Sequence, residues 1–245
     1  MRFLVNIKYD GSLFYGFQIQ KDKRTIEGEI TTALSKICNE EIKIIGCSRT
    51  DRKVHAIDFY FHFDTAKEFE ENRLKKSLND LTTDDIYIKS VKKISNKIHA
   101  RYSVKSKEYK YVINTNEYDP ISRNYSFQYC KNIEVDLLKK ASKYLEGMHD
   151  FKSFTSDNEK ENTIRTINYI CKEKVNECVN IYVNADGFLK YMVRNIIGLL
   201  IEINEGKKLV ENIDDIINSK DRTKLGLCAP AEGLYLNKVE YVVEL

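Results

Sequence analysis

The sequence predicts an α+β protein made of two similar halves of mostly antiparallel sheet covered by helices, with a basic cleft between the halves. Three observations lead there. Some segments alternate apolar and polar residues with period two, such as Ile57, Phe59, Phe61 and Phe63 against Asp58, Tyr60, His62 and Asp64, which is the pattern of a half-buried strand. Others place apolar residues at helical spacing, such as Ile26, Ile30, Ala33, Leu34 and Ile37. Both kinds occur on each side of residues 115–130, and no low-complexity linker separates them. The expected halves are therefore residues 1–115 and 116–245, with a soft boundary near 115–130.

In chain order, Phe3, Val5, Ile7 and Tyr9 make a strand over Arg2–Tyr9, and Asp10-Gly11-Ser12 is turn chemistry. Thr25 is placed to cap the helix that starts at Ile26. Glu41–Ile45 reads as a short strand and Ile57–Phe63 as the clearest one. Asn72–Leu81 is a helix, and Asp85–Val91 and Glu108–Asn114 are strands. In the second half, Leu137, Leu138, Ala141 and Leu145 make an amphipathic helix with Gly147 at its C-terminal end. Strands are expected at Thr163–Lys172 and Val179–Ala185. A long apolar helix is expected over Phe188–Glu205, stopped by Gly206, then another over Leu209–Ser219. A strand over Lys238–Val243 closes the chain.

Composition excludes several classes. With 42% hydrophobic and 31% charged residues the chain is an ordinary globular one. Lys+Arg of 40 against Asp+Glu of 37 gives a net charge of only +3, so any basic face must be local. No apolar run approaches a membrane span, and the N-terminus lacks the features of a signal peptide, so a cytoplasmic location is expected. None of the six cysteines forms a Cys-x-x-Cys pair, and the four histidines fit no zinc spacing. No metal and no cofactor are expected, and the thiols are expected to be reduced and buried. Sixteen Tyr and eleven Phe supply rings for core packing or base stacking.

The most informative stretch is Gly46-Cys47-Ser48-Arg49-Thr50-Asp51-Arg52-Lys53-Val54-His55-Ala56. It sets one carboxylate, Asp51, among Arg49, Arg52 and Lys53. Nearby positive charge keeps a carboxylate ionised, and the same cations attract a polyanion. An isolated Asp in a loop is more often a turn residue, so the assignment rests on context.

That context is a family resemblance. Ser48-Arg49-Thr50-Asp51-x-x-Val54-His55-Ala56 resembles the signature of the TruA-type tRNA pseudouridine synthases, usually Gly-Arg-Thr-Asp-Ala-Gly-Val-His-Ala. Five further segments resemble that family's landmarks in the same order. They are Tyr9-Asp10-Gly11-Ser12-x-Phe14-x-Gly16-Phe17-Gln18; His99-Ala100-Arg101 with Tyr109-Lys110-Tyr111; Gly147-x-His149-Asp150-Phe151-x-Ser153-Phe154; Phe188-x-x-x-Met192-Val193-Arg194-Asn195-Ile196-x-Gly198; and Ala229-Pro230-Ala231-x-Gly233-Leu234-Tyr235-Leu236. Together they span the chain.

The resemblance implies an isomerase that converts uridine to pseudouridine in tRNA. The uracil N1–C1′ bond breaks, the base rotates, and a C5–C1′ bond forms. No atoms enter or leave. Asp51 is then the catalytic carboxylate, by attack on C1′ or by removal of a proton from C2′. Tyr109 is the catalytic ring that stacks on the flipped uracil and takes part in proton abstraction from C5, and Arg194 the cation paired with Asp51. Leu234 and Tyr235 wall the pocket with Tyr109. Arg49 helps to extrude the nucleotide, since a base inside a stem cannot be reached in place. RNA contacts are expected from Lys21, Lys23 and Arg24, from Arg49, Arg52 and Lys53, and from Arg101, Lys105, Lys107 and Lys110. His55 and His99 read as structural. The resemblance also implies a homodimer carrying one tRNA across both subunits.

Three departures bear on target choice. Arg52-Lys53 replaces the usual Ala-Gly, Ser48 the usual Gly, and Phe17 the usual Trp. The family target is the anticodon stem-loop, around tRNA positions thirty-eight to forty. A shifted tRNA or rRNA target, or a role as an RNA-binding folding aid, is the alternative. The set Asp51, Tyr109 and Arg194 favours the enzyme, and the lack of a carboxylate cluster disfavours metal-dependent RNA hydrolysis.

Overall fold

A computed structural model describes residues 1–157 and 159–242. The described residues contain ten strands and five α-helices, and they divide into two compact units. One unit is Met1–Lys105 together with the C-terminal strand from Tyr235 onward; the other is Ser106–Leu234.

In the first unit β1 (Arg2–Tyr9) lies between β3 (His55–Asp64) and β4 (Ile86–Ile94), antiparallel to both. The short β2 (Ile44–Gly46) extends antiparallel from β3. Helix α1 (Ile26–Cys38) buries Ile26, Ile30, Ala33, Leu34 and Cys38. Thr25 caps it as expected, its hydroxyl accepting from the Gly28 N–H at 3.3 Å. Helix α2 (Glu71–Leu81) buries Leu74 and Leu78 and is capped by the Glu70 carboxylate. Phe3, Val5, Ile7, Phe59, Phe61 and Phe63 are the centre of this core, all at most 1% exposed.

In the second unit β5 (Val104–Asn114), β9 (Cys178–Ala185), β8 (Ile164–Val175) and β7 (Gly147–Asp150) follow one another in antiparallel pairs. The two-residue β6 (Phe127–Gln128) adds parallel to β5. Helices α3 (Val135–Lys143), α4 (Met192–Asn204) and α5 (Asn212–Ser219) complete the unit. Ten of the thirteen residues of α4 are buried, as its apolar circumference requires. Both units are thus mostly antiparallel α+β structures.

The division differs from a single cut in sequence. Residues 106–114 were expected in the first half, but β5 pairs with β9 from Lys107↔Ala185 to Asn114↔Cys178 and so belongs to the second unit. The C-terminal strand β10 (Leu234–Tyr241) pairs parallel with β3, Tyr235↔His55, and returns the chain end to the first unit. Its expected last residue, Val243, lies outside the described residues.

Other expectations shift for local reasons. Helix α3 ends at Lys143 with Tyr144 as its cap in right-handed geometry, so Gly147 is not a helix terminator; it opens β7, at φ +99°. Helix α4 begins at Met192 rather than Phe188, because Tyr191 adopts φ 64° and cannot continue a helix. Helix α5 begins at Asn212 rather than Leu209. The thiols are free, but only Cys38 and Cys47 are buried; Cys130 and Cys171 are exposed.

Candidate functional site

The Asp51 loop joins β2 to β3 and is held by the segment that follows β1. Phe17 N–H donates to the Thr50 carbonyl at 3.1 Å, and Lys53 N–H donates to the Phe14 carbonyl at 3.3 Å. Val54 N–H closes the turn onto the Asp51 carbonyl at 3.2 Å. Two glycines permit this approach. A Cβ on Gly11 would stand 2.0 Å from the Val54 carbonyl oxygen, and one on Gly16 would stand 2.7 Å from that of Thr50. Gly16 also has φ +94°, which only glycine adopts without strain.

Side chains tie the same two segments. The Tyr9 and Thr50 hydroxyls are hydrogen-bonded at 2.8 Å in a buried place. His55, 2% exposed, accepts from Gly11 N–H at Nδ1 (3.1 Å) and stacks on Tyr235, ring centroids 4.6 Å apart. The Phe17 ring packs 4.6 Å from Phe59, and the absence of a side chain on Gly46 makes room for it. The result is a rigid frame around Asp51, which is itself half-buried.

The cations singled out from the sequence separate into kinds. Arg24 is matched by its own fold: it donates to Glu29 and Asp85 at 2.8 Å each, and its guanidinium lies over Phe14 at 4.2 Å. Those two carboxylates raise its pKa against the opposing effect of burial. Arg49 is exposed and forms no ion pair among the described residues. Arg52 and Lys23 both approach the ring of Tyr15, at 4.4 and 4.7 Å. Lys53 sits at φ 67°, the left-handed region. Lys21 is exposed, as are Arg101 and Lys105. Beside Arg101, His99 accepts from the Arg101 and Tyr102 N–H groups at 3.1 and 3.2 Å, and its own N–H donates to Ser103 Oγ at 3.0 Å. His99 is thus a turn-forming residue.

In the second unit, Tyr109 and Tyr111 lie on one face of β5 and both are buried, Tyr109 at 6% exposure. Tyr111 is fully buried and donates to the Pro230 carbonyl at 2.7 Å. Burial lifts its pKa well above the usual value, and the Arg194 charge opposes that rise. Tyr109 makes an edge-to-face contact with Phe188, centroids 5.0 Å apart. Lys107 and Lys110 are on the same strand, half-buried.

Arg194 is in the first turn of α4. Its Nε donates to the Ala229 carbonyl at 2.7 Å, and the Ala229 N–H returns a bond to the Arg194 carbonyl at 3.0 Å. Its guanidinium lies 5.1 Å from the Tyr191 ring centroid. Gly198 lets the Leu227–Ala229 segment lie against the helix, since a Cβ there would meet the Leu227 carbonyl at 1.8 Å. Leu234 is buried at 5% exposure.

The segment Gly147–Phe154 is structural. Asp150 caps the Lys152 N–H and pairs with Lys220 at 2.9 Å, while Ser153 donates to the Ile216 carbonyl at 2.6 Å. Asn195, fully buried, donates to the Phe154 carbonyl and accepts from Arg222. Among the described residues no group of three or more His, Cys, Asp or Glu is arranged to hold a metal ion, and no helix is long and apolar enough to cross a membrane.

The Asp51 frame and the Arg194 and Tyr109 environments are built from the segments that carried the sequence resemblance. A family model described as tRNA pseudouridine synthase matches residues 6–103 and 141–242. The chain belongs to the tRNA pseudouridine synthase family. Proteins named tRNA pseudouridine synthase A are similar over nearly their whole length. One from Thermoanaerobacter sp. (strain X514) is 39% identical over 97% of this chain and 98% of its own. One from Caldicellulosiruptor bescii is 40% identical over the same shares, and one from Aquifex aeolicus 37%. Within this pseudouridine synthase framework, sequence reasoning missed Tyr15, whose cationic neighbour Arg52 comes from a segment remote in sequence, and the Tyr9–Thr50 bond.

Proposed function

We propose that this chain isomerises uridine to pseudouridine in the anticodon stem-loop of tRNA, around positions thirty-eight to forty, with Asp51 as the catalytic carboxylate. The observation that supports this most directly is the frame around Asp51. The loop is fixed on both sides by backbone bonds, a buried hydroxyl pair and two obligatory glycines. A group that must act at one atom of a sugar needs that degree of positioning.

Asp51 either attacks C1′ or takes a proton from C2′. Both routes use its ionised form. Tyr109 offers a ring face to the flipped uracil, with Leu234 and Tyr235 completing the pocket; stacking of this kind is worth about 1–3 kcal/mol per base. Arg194 supplies the cation paired with Asp51. Arg49, Arg52, Lys53, Lys21, Arg101, Lys105 and Lys107 contact the RNA backbone, and Arg24, already matched by Glu29 and Asp85, adds least. The enzyme works in the cytoplasm, without a cofactor, as a homodimer.

The test is release of tritium from tRNA carrying uracil labelled at C5. The protein releases tritium, and Asp51→Asn does not. Release at an unchanged rate by Asp51→Asn would remove Asp51 from the mechanism. Mapping pseudouridine in treated tRNA reads the position modified.

A further inference from the structure

Beside the catalytic loop, one aromatic ring gathers two cations that no carboxylate matches. Tyr15 is half-buried; Arg52 approaches its ring at 4.4 Å and Lys23 at 4.7 Å. Neither cation forms an ion pair among the described residues. Arg24, next in sequence to Lys23, is the contrast: it has a ring, Phe14, and two carboxylates as well. Two like charges drawn to one ring repel each other, and the ring quadrupole offsets only part of that repulsion. An anion that both cations can reach relieves it.

The backbone holds this arrangement in place before any ligand arrives. Tyr15 N–H donates to the Arg24 carbonyl at 2.9 Å, and the Gln20 side chain donates to the Tyr15 carbonyl at 2.7 Å, closing the loop that carries Lys23. Lys53 N–H donates to the Phe14 carbonyl, fixing Arg52 against the same loop. Arg52 immediately follows Asp51 in the chain. A phosphate held by Arg52 is therefore near the nucleotide on which Asp51 acts.

We propose that Tyr15, Arg52 and Lys23 form a phosphodiester-binding subsite for the RNA strand next to the target nucleotide. The proposal rests on RNA being the substrate. Arg52 is the principal ligand, since a guanidinium matches two phosphate oxygens at once. Lys23 adds a second charge, and Tyr15 aligns both. The subsite reads backbone position rather than base identity, so it acts on which phosphate, and hence which uridine, is brought to Asp51.

The test is binding of a tRNA transcript at several salt concentrations. Each cation that displaces counterions contributes about one to the slope of log K against log salt. Arg52→Ala is expected to lower the slope by about one, Lys23→Ala by a similar amount, and Arg52→Lys to restore most of it. Tyr15→Leu is expected to weaken binding while keeping the slope, because it removes alignment and not charge. A methylphosphonate scan of the anticodon stem-loop should find one phosphate whose neutralisation weakens the wild-type protein but not Arg52→Ala. Unchanged slope and affinity in both Arg52→Ala and Lys23→Ala would overturn the subsite. So would a scan with no such phosphate. Thermal melting of each variant separates lost contact from lost fold, and the charge-preserving Arg52→Lys reads the subsite even if Arg52→Ala folds poorly. Absence of tritium release with the salt slopes as expected would overturn the isomerase reading and leave the subsite standing.

Discussion

The hydroxyl of Tyr9 at the end of β1 is hydrogen-bonded to the hydroxyl of Thr50, 2.8 Å away and buried, one residue before Asp51. Tyr9 is 4% exposed and Thr50 7%. Solvent cannot take over from either partner, so the bond fixes the peptide that leads into Asp51 to the central strand of the first unit.

Removing the Tyr9 hydroxyl strands that of Thr50. Tyr9→Phe is expected to cost about 1–2 kcal/mol, the penalty for a buried unsatisfied group. For a chain of this size that lowers the melting temperature by about 2–4 °C per kcal/mol. Turnover should fall further than stability accounts for, since the loop that carries Asp51 loses an anchor. In the double variant Tyr9→Phe, Thr50→Val, neither side is left with a stranded hydroxyl. Its melting temperature should lie above the sum of the two single losses. Strict additivity would show that the two hydroxyls act independently.

Gly11 makes a sharper test of the same frame. A methyl group there would stand 2.0 Å from the Val54 carbonyl oxygen. That atom belongs to backbone and cannot rotate away, so Gly11→Ala must push the two segments apart. We expect a loss of about 1–3 kcal/mol, the usual range for overpacking, with tritium release reduced by more than tenfold. Chemical denaturation and the release assay on the same preparation measure both.

Lys53 holds a left-handed conformation, φ 67°, in which a side chain costs roughly 1–2 kcal/mol. Lys53→Gly relieves that strain but loosens the unfolded chain, which returns about 0.5–1 kcal/mol. The net expectation is a stabilisation of up to about 1 kcal/mol. Lys53→Val should destabilise, because a β-branched residue tolerates φ > 0 least. A lower melting temperature for the Gly variant than for the Val variant would contradict the strained backbone.

These two positions show how far the sequence carries. The loop containing Asp51 was legible because its residues are contiguous. So were β3, with its strict alternation, and the start of α1, where Thr25 stands directly before the apolar repeat. Gly147 was misplaced because Tyr144 ends α3 in right-handed geometry, with no glycine needed. Strands β6 and β7, of two and four residues, are too short to display a period. Tyr191 reads as helical by its neighbours, yet turns left-handed before α4. The return of β10 to β3, the meeting of Tyr15 with Arg52 and the Tyr9–Thr50 bond all join segments distant in sequence. No local pattern encodes such pairings.

Tyr109 and Tyr111 share a strand face, so their variants should separate site from core. Tyr111→Phe removes the 2.7 Å bond to the Pro230 carbonyl and should cost about 1 kcal/mol with little change in kcat/KM. Tyr109 is buried too, at 6% exposure, so Tyr109→Leu should cost about 1–3 kcal/mol but, unlike Tyr111→Phe, lower kcat/KM by about 10- to 100-fold, the equivalent of the stacking energy. The opposite outcome would exchange the roles of the two rings.

His62 gives the fold a definite pH dependence. It is 1% exposed, and its Nδ1 accepts the Ala100 N–H at 3.1 Å. Burial first, then the charge of Arg2 and the neighbouring His99, lower its pKa from 6.5 to about 4, with Asp64 opposing. The unfolded chain therefore binds a proton between about pH 6.5 and 4 that the folded chain refuses. The stability associated with neutral His62 is present above pH 6.5 and is lost as pH falls through that window, by about 3 kcal/mol in all at 1.36 kcal/mol per unit. Urea unfolding at pH 7.5, 6, 5 and 4.5 should show the decline. His62→Gln keeps an acceptor for Ala100 but does not titrate, so it should start from lower stability and decline less over the same range. Equal slopes for the two proteins would assign the acid sensitivity to other groups.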